Sequence, residues 1–237
     1  GIANYLLDPG FHAMEYFTNA DDDAAARFFN TITTDSMVQL FYSLPLEFNP
    51  GFTWSYSNTG YYLLGKIGEA ATGKPFFDLV KEIVTEPLQM FQTKANELSA
   101  SEGCLAKAYF IKDSSLAPAR ILNSNYAFSA GAWATSGHDM VSYLKALHKR
   151  NLPSDQIGID FRKAPYGNRL PYTYNAGRFY TTFHGQHIIS HNGGTPGFSS
   201  SWIYLLEKNT SIIVLINRQD YAAIDQLAWD ILSSYCP

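Results

Sequence analysis

The stretch His187-Ile188-Ile189-Ser190-His191-Asn192-Gly193-Gly194-Thr195-Pro196-Gly197-Phe198 decides the fold, because a β-branched start gives way to paired glycines and then to a Pro-Gly turn signal. It reads as a strand running into a glycine-rich bend. Toward the C-terminus, Ser199 to Leu206 and Ser211 to Asn217 are two more strand-like runs, joined through Glu207, Lys208, Asn209 and Thr210 as an antiparallel hairpin. Ile224, Leu227, Ala228, Ile231, Leu232 and Tyr235 then follow the i, i+3, i+4, i+7 rule and predict a C-terminal helix covering the sheet. Toward the N-terminus, a strand-like run around Tyr172 to Phe183 extends the sheet, and a polar, Gly/Pro-containing region from Asn151 to Pro171 precedes it.

Before that region the period changes from strand to helix. Leu63, Leu64, Ile67, Ala70 and Ala71 predict a helix that starts near Asn58 and ends at Gly73, ahead of Pro75. Phe76, Val80, Ile83 and Val84 continue the pattern until Pro87 stops it. Ser136 and Asp139 resemble a capping box, followed by Met140, Leu144 and Leu147 on one face of a third helix. Asp21 to Asp23 reads as a further helix start before Ala24 to Phe29.

Two segments carry chemistry. Asn49-Pro50-Gly51-Phe52-Thr53-Trp54-Ser55-Tyr56-Ser57-Asn58-Thr59-Gly60-Tyr61 places a Tyr-x-Asn triplet at the mouth of a helix. Tyr56 offers a phenol that acts as a general base if a nearby cation lowers its pKa, and Asn58 an amide that can hold a substrate amide. Taken alone, Tyr56 reads more readily as a packed aromatic and Asn58 as an N-cap, since both residue types are common in such places. In the second segment, Gly193 and Gly194 let a backbone approach a ligand with exposed N–H groups, or make an ordinary turn.

In this order, with a helical block between them, the two segments resemble the serine β-lactamase and penicillin-binding protein family, including its D-alanyl-D-alanine peptidases and esterases. The run from Pro50-Gly51 to Tyr61, then Leu63-Leu64-Gly65 and Thr72-Gly73, resembles the family's Tyr-x-Asn region. Ser129-Ala130-Gly131-Ala132-Trp133-Ala134-Thr135 with Asp139 is similar to a later helix-entry motif, and His191-Asn192-Gly193 to the Lys/His-x-Gly motif. Gly1-Ile2-Ala3-Asn4-Tyr5 resembles the end of the segment that follows the family's nucleophile helix.

The resemblance implies an α/β fold of the α+β type, β-lactamase/transpeptidase-like: an antiparallel sheet flanked by helices, plus a mostly helical lobe, with the N-terminal part missing. Residues 1–237 would form a single, incomplete catalytic domain, with 1–150 the helical lobe and 151–237 the sheet portion and its C-terminal helix. It implies acyl transfer through a Ser-x-x-Lys serine. Tyr56 would shuttle the proton, Asn58 bind substrate, His191 assist Tyr56, and Asn192, Gly193 and Gly194 line the substrate and oxyanion side, with the Gly194 N–H as half of the oxyanion hole.

The pattern departs from the family in one major respect. No Ser-x-x-Lys precedes Tyr56, and the sole match, Ser142-Tyr143-Leu144-Lys145, falls later, in the middle of a predicted helix. The nucleophile is therefore expected on an upstream segment of the same protein, and the chain alone is expected to be inactive. His191 also stands where most β-lactamases have Lys, so its positive charge is only partial near neutral pH, which weakens the case for β-lactams and leaves peptides and esters open. The alternative is a catalytically inactive binding or scaffold protein of the same fold.

Composition limits the remaining possibilities. With 46% hydrophobic, 15% aromatic and 16% charged residues and a net charge of -4, the 237-residue chain is globular and carries no basic stripe for nucleic acid. Its longest apolar stretch, Ser211 to Asn217, is far short of a membrane span. The expected partners are a small-molecule or peptide substrate and the upstream fragment, and no cofactor is expected. A periplasmic or secreted location is expected, with no signal visible in the chain. Cys104 and Cys236 are either one long-range disulfide or two unrelated thiols. His184, His187 and His191 invite a zinc reading, but residues three apart on a strand point to opposite faces, so ordinary strand histidines are expected.

Overall fold

The computed structural model describes residues 2–5, 31–95, 105–119, 121, 123–148 and 173–236. Four short strands, β1 (Lys94–Ala95), β2 (Tyr109–Lys112), β3 (Ser115–Pro118) and β4 (Trp133–Ala134), pair as β1 with β4 and β2 with β3. The main sheet among the described residues is a five-stranded antiparallel meander, β5 (Thr173–Asn175), β6 (Arg178–Phe183), β7 (Gln186–Thr195), β8 (Phe198–Leu205) and β9 (Thr210–Ile216), paired in that order. The deciding stretch is one continuous strand through Thr195, so Gly193 and Gly194 lie in the ladder and the turn is confined to Pro196 and Gly197. Gly197 has φ +79°, and a Cβ there would fall 2.5 Å from that of Ala108, so this turn has room only for glycine.

The alternation of β8 sends its side chains to two different helices. Ile203 and Leu205 pack with Ile188 and Ile212 under the C-terminal helix (Tyr221–Tyr235), against its Ala228 and Leu232. Tyr204 and Ile189 point to the other face and meet Leu144, Ala146 and Leu147 of the helix Gly137–His148. The expected sheet with a covering C-terminal helix is present, but only part of the apolar stripe is covered. Ile224, Ala228 and Leu232 are buried, whereas Leu227, Ile231 and Tyr235 are 47%, 41% and 51% exposed. Buried positions four apart form one row against a flat sheet, and the neighbouring row turns away.

In the helical portion, α1 (Thr34–Tyr42) and α2 (Asn58–Thr72) share an aromatic core of Tyr5, Met37, Phe41, Tyr62, Tyr126 and Phe128. The structure confirms helix α2, with Ser57 as N-cap, its hydroxyl accepting from the Gly60 N–H at 3.2 Å, and Gly73 as a left-handed C-cap. Asn58 is thus the first helical residue and not the cap. The face that α2 buries also differs from the expected one. Thr59, Tyr62 and Gly65 are buried, and Leu64 and Ile67 are 58% and 62% exposed.

The reason lies in one close crossing. Ser129, in the 3₁₀ turn Phe128–Ala130, places its hydroxyl 2.8 Å and 3.0 Å from the carbonyls of Tyr61 and Tyr62 and donates to them. A Cβ at Gly65 would lie 2.2 Å from that hydroxyl oxygen. Contact at backbone distance thus selects a Thr, Tyr and Gly face over an aliphatic one.

The run from Phe76 onward forms α3 (Phe76–Val80) and passes into a π-turn at Lys81–Thr85, which shifts the helical phase and leaves Ile83 48% exposed. Asp139 does not close the capping box expected of it. Its own N–H bonds the Ser136 hydroxyl, but its carboxylate, 2% exposed, accepts from the Gln92 N–H and the Thr93 hydroxyl, both at 2.8 Å. The buried carboxylate thereby ties the 91–93 loop to the helix Gly137–His148. Cys236 is a buried free thiol, and Cys104 and the Asp21 to Phe29 region lie outside the described residues. No helix among the described residues is long and apolar enough to cross a membrane.

Two stability effects follow from these contacts. Gly65→Ala should lower unfolding free energy by about 2–3 kcal/mol, as overpacked cores do, in a urea titration monitored by circular dichroism. Asp139→Ala removes a buried carboxylate that accepts from the Gln92 N–H and the Thr93 hydroxyl, and should cost about 1–3 kcal/mol in the same titration, whereas Ser142→Ala, in mid-helix, should change stability by less than about 0.5 kcal/mol.

Candidate active site

The helix cap and the strand register together place the site. Asn4 lies across the start of α2, its side-chain oxygen 3.4 Å from both the backbone nitrogen and the side-chain nitrogen of Asn58, which donate to it. The Tyr5 N–H donates to the buried Thr59 hydroxyl at 3.0 Å. The N-terminal segment is thus bonded to the helix entry, and Tyr56, two residues before that entry, is held half-buried beside the sheet.

On the sheet side, β6 pairs with β7 only from Phe179–Ser190 to Phe183–Gln186, while β8 pairs with β7 from Ile188–Leu205 to Thr195–Phe198. Past Ser190, β7 therefore has β8 on one side and, among the described strands, no neighbour on the other. Alternate N–H groups of an antiparallel strand point away from a given neighbour. The His191–Thr195 end of β7 consequently presents backbone donors along an open edge.

His191 stands at the start of that edge and meets Tyr56, their ring centroids 6.2 Å apart. The structure brings these two together. The surrounding rings were not singled out in the sequence. Tyr174 of β5 lies 5.4 Å from Tyr56, 6.0 Å from His191 and 6.4 Å from Tyr61, and Trp54 stacks on it at 5.9 Å with an interplanar angle of 10°. Phe179 contacts both Tyr174 and His191, at 4.8 and 5.3 Å. The density of Tyr and Phe around Tyr172 to Phe183 was the available signal, and it reads as ordinary strand composition unless the partner rings are known.

Burial governs the electrostatics. The Tyr56 phenol is pushed up from its ordinary pKa first by desolvation and then by Tyr61, while a hydrogen bond from Tyr174 pulls it part of the way back. Desolvation lowers His191 from the ordinary imidazole value, against weaker upward pulls from the Asn192 carbonyl and Asp225. The His191 ring is therefore neutral near neutral pH. Its Nδ1 bonds the Asn192 carbonyl and must carry the proton, which leaves Nε2 as an acceptor.

The other predicted residues divide between the two sides of the sheet. The Asn192 amide donates to Asp225 on the C-terminal helix, so adjacent residues of β7 point to opposite faces and the Asn192 side chain does not join Tyr56. Gly193 accepts at its carbonyl from the Ser200 hydroxyl at 3.2 Å. A Cβ on Gly194 would fall 2.4 Å from the Tyr221 ring, so only glycine fits under that ring. His184 stacks on Phe183 in the β6–β7 turn and His187 bonds the Glu207 carboxylate, so the three histidines serve three separate places. Among the described residues, no three His, Cys, Asp or Glu side chains gather as metal ligands would. The assembled groups are a half-buried phenol, a neutral imidazole with an acceptor nitrogen, and an open edge of backbone donors.

A profile of the family described as Beta-lactamase matches residues 8–234. Penicillin-binding protein 4* of Bacillus subtilis is 25% identical over 194 residues, 76% of this chain and 43% of its own length. The D-aminopeptidase of Cereibacter sphaeroides is 23% identical over 182 residues, 73% of this chain and 34% of its own length. The chain thus spans less than half of each of these relatives. Among solved structures, a D-stereospecific amidohydrolase from Streptomyces sp. superposes with a TM-score of 0.82 and 25% identity, over 100% of this chain and 69% of that one. The D-amino acid amidase of Ochrobactrum anthropi SV3, at 18% identity, has a TM-score of 0.70 over 87% of this chain and 65% of that one, a likeness of fold. A profile matched across nearly the whole chain and a shared fold establish that this chain belongs to the β-lactamase family of serine hydrolases.

Proposed function

We propose that this chain supplies the proton-transfer and oxyanion side of an acyl-transfer site that hydrolyses amides or peptides of D-amino acids. The observation that carries the reading is the approach of Tyr56, at the entry of α2, to His191, at the open edge of β7, with ring centroids 6.2 Å apart. In the proposed cycle an upstream serine adds to the substrate carbonyl, and the Tyr56 phenolate takes the serine proton. The tetrahedral oxyanion rests on the Gly194 N–H, and Tyr56–OH returns the proton to the leaving amine as the C–N bond breaks. Water then adds to the acyl-enzyme with Tyr56 again as base, and the bond from the acyl carbon to the serine oxygen breaks as Tyr56–OH returns the proton to that oxygen, releasing the acid and the free serine. Asn58 holds the substrate amide, and the His191 Nε2 accepts a hydrogen bond from Tyr56 or from the substrate.

Burial holds the Tyr56 phenol above its ordinary pKa, so base action needs a cation beside it, and the lysine of an upstream Ser-x-x-Lys is the expected source. A neutral His191 gives a substrate carboxylate no counter-charge, which favours amides and N-terminal D-residues over C-terminal carboxylates. The names of the relatives, a D-aminopeptidase and a D-stereospecific amidohydrolase, agree with this choice.

In a protein that joins this chain to its upstream segment, Tyr56→Phe should lower kcat for a D-amino-acid amide by about 100-fold or more with the circular dichroism spectrum unchanged. Ser142→Ala should leave kcat at the wild-type level. Wild-type turnover in Tyr56→Phe would remove the phenol from the mechanism, and failure of that protein to take up a fluorophosphonate label would favour an inactive binding protein. Proton NMR should show His191 titrating below the ordinary imidazole value of 6.5, because burial disfavours its charged form. A midpoint above that value would restore the cationic role and the carboxylate substrates.

A further inference from the structure

The first turns of the C-terminal helix (Tyr221–Tyr235) press on the back of the strand whose open edge faces the site. Asn192 and Gly194 of β7 and Ser199 and Ser201 of β8 share the face that Ile188 and Ile203 present to this helix, because residues two apart on a strand point the same way. The Asn192 amide donates to Asp225, and the Tyr221 ring lies one helical turn earlier, under Gly194. A Cβ on Gly194 would come within 2.4 Å and 2.8 Å of two atoms of that ring and 2.7 Å of the Phe198 carbonyl oxygen. Gly194 is not among the glycines with a left-handed backbone, so its surroundings and not its backbone angles demand glycine there.

The strand register relates that contact to the chemistry. The two-residue turn Pro196–Gly197 closes on the pair Thr195–Phe198, so this pair is hydrogen-bonded and the next, Gly194–Ser199, is not. The Gly194 N–H therefore points away from β8, to the open edge, while the Tyr221 ring backs the same residue from the helix side of the sheet. The ring itself is anchored. The Asp220 N–H donates to the buried Ser199 hydroxyl at 2.9 Å, and the Asp220 carboxylate caps the helix by accepting from the Ala223 N–H at 3.2 Å. Ser199 is the cross-strand partner of Gly194, so two consecutive residues of the helix entry, Asp220 and Tyr221, hold the two members of one strand pair. Just before them, the Gln219 N–H donates to the Tyr109 carbonyl at 3.1 Å, and the Tyr109 N–H donates to the Gly197 carbonyl at 3.3 Å. β2 thus ties the helix entry to the turn beyond Gly194.

This brace offsets a weakness of the edge. Two successive glycines leave a backbone wide conformational freedom, and an oxyanion donor is effective only when its direction is set before the reaction. Past Ser190, β7 has no neighbour among the described strands on the site side, so its direction is set by β8 and by what packs on its faces. We infer that Tyr221 is a positioning residue for the Gly194 N–H: its ring, anchored through Asp220 and Ser199, backs the Gly194 peptide from the far face of the sheet and keeps the donor aimed at the open edge. This rests on the reading of Gly194 as the oxyanion donor.

The test is steady-state kinetics on a D-amino-acid amide in the protein with its upstream segment. Tyr221→Ala should lower kcat and kcat/KM together by about tenfold or more, short of the about 100- to 1,000-fold typical of a lost oxyanion donor, with KM unchanged. Tyr221→Phe keeps the ring and should hold kcat within about twofold of wild type. Ser199→Ala keeps the ring but releases its anchor, and should lower kcat by less than Tyr221→Ala, again at constant KM. Leu232→Ala, in the same helix but packed with Ile188 and Leu205, should lower Tm and leave kcat of the folded protein at the wild-type level. A merely structural Tyr221 would make Tyr221→Ala behave like Leu232→Ala, and a wild-type kcat in folded Tyr221→Ala overturns the inference. The second readout is amide hydrogen exchange at Gly194, with and without a phosphonate bound covalently to the upstream serine. Wild type should exchange more slowly in the adduct, and Tyr221→Ala should lose most of that protection. An adduct that leaves wild-type exchange unchanged removes Gly194 as the donor and this inference with it. Full protection in Tyr221→Ala overturns the inference alone and leaves the donor standing. If Tyr221→Ala does not fold, Ser199→Ala decides, and wild-type kcat with wild-type Gly194 protection there overturns the inference.

Discussion

The ring contact between the helical portion and the sheet is the constraint on which the site depends. Tyr56 comes from the loop that enters α2, and His191 comes from β7, more than a hundred residues later. No described ion pair joins them. What fixes their separation is the packing of Trp54, Tyr56 and Tyr61 against Tyr174, Phe179 and His191. Aromatic contacts suit this task because each ring buries a large area with few rotatable bonds and prefers offset or edge-on geometry.

That packing has an electrostatic consequence. Dehydration moves Tyr56 and His191 toward their neutral forms, the phenol upward and the imidazole downward. A protonated phenol can give a proton but not take one, so Tyr56 acts as a base only where a nearby charge stabilises its phenolate. On the proposed reading that charge comes from the upstream segment, and a neutral His191 offers a substrate carboxylate no counter-charge. Both features agree with amide chemistry more than with carboxypeptidase chemistry.

The sheet was legible in the sequence because its alternation is strong. The hairpin from β8 to β9 and the C-terminal helix follow from period alone, since Ile203, Leu205 and Ile212 face one helix and Tyr204 the other. The helical portion was less legible. α2 was expected to bury Leu64 and Ile67, but the Ser129 hydroxyl and the absence of a side chain at Gly65 bring the Thr59 face inward instead. A hydrophobicity pattern does not register close approach. Asp139 shows the same limit, because its capping position was visible but its loop partners Gln92 and Thr93 lie 46–47 residues away. In the site, Tyr56 and His191 were found through motifs, whereas Tyr174 required the fold. The motif does not say which way the Asn192 side chain turns; the strand does, since adjacent residues face opposite sides and its amide meets Asp225.

The central claim is that Tyr56 and the open end of β7 flank one reacting carbonyl. The most direct measurement is a crystal structure of the protein with its upstream segment, trapped as a covalent phosphonate adduct that mimics the tetrahedral intermediate. The account predicts one phosphonyl oxygen within about 3 Å of the Gly194 nitrogen and the leaving-group side of the adduct within hydrogen-bond reach of the Tyr56 hydroxyl. An adduct whose phosphorus lies more than about 10 Å from Tyr56, or whose oxygen is bound by groups away from β7, would contradict it.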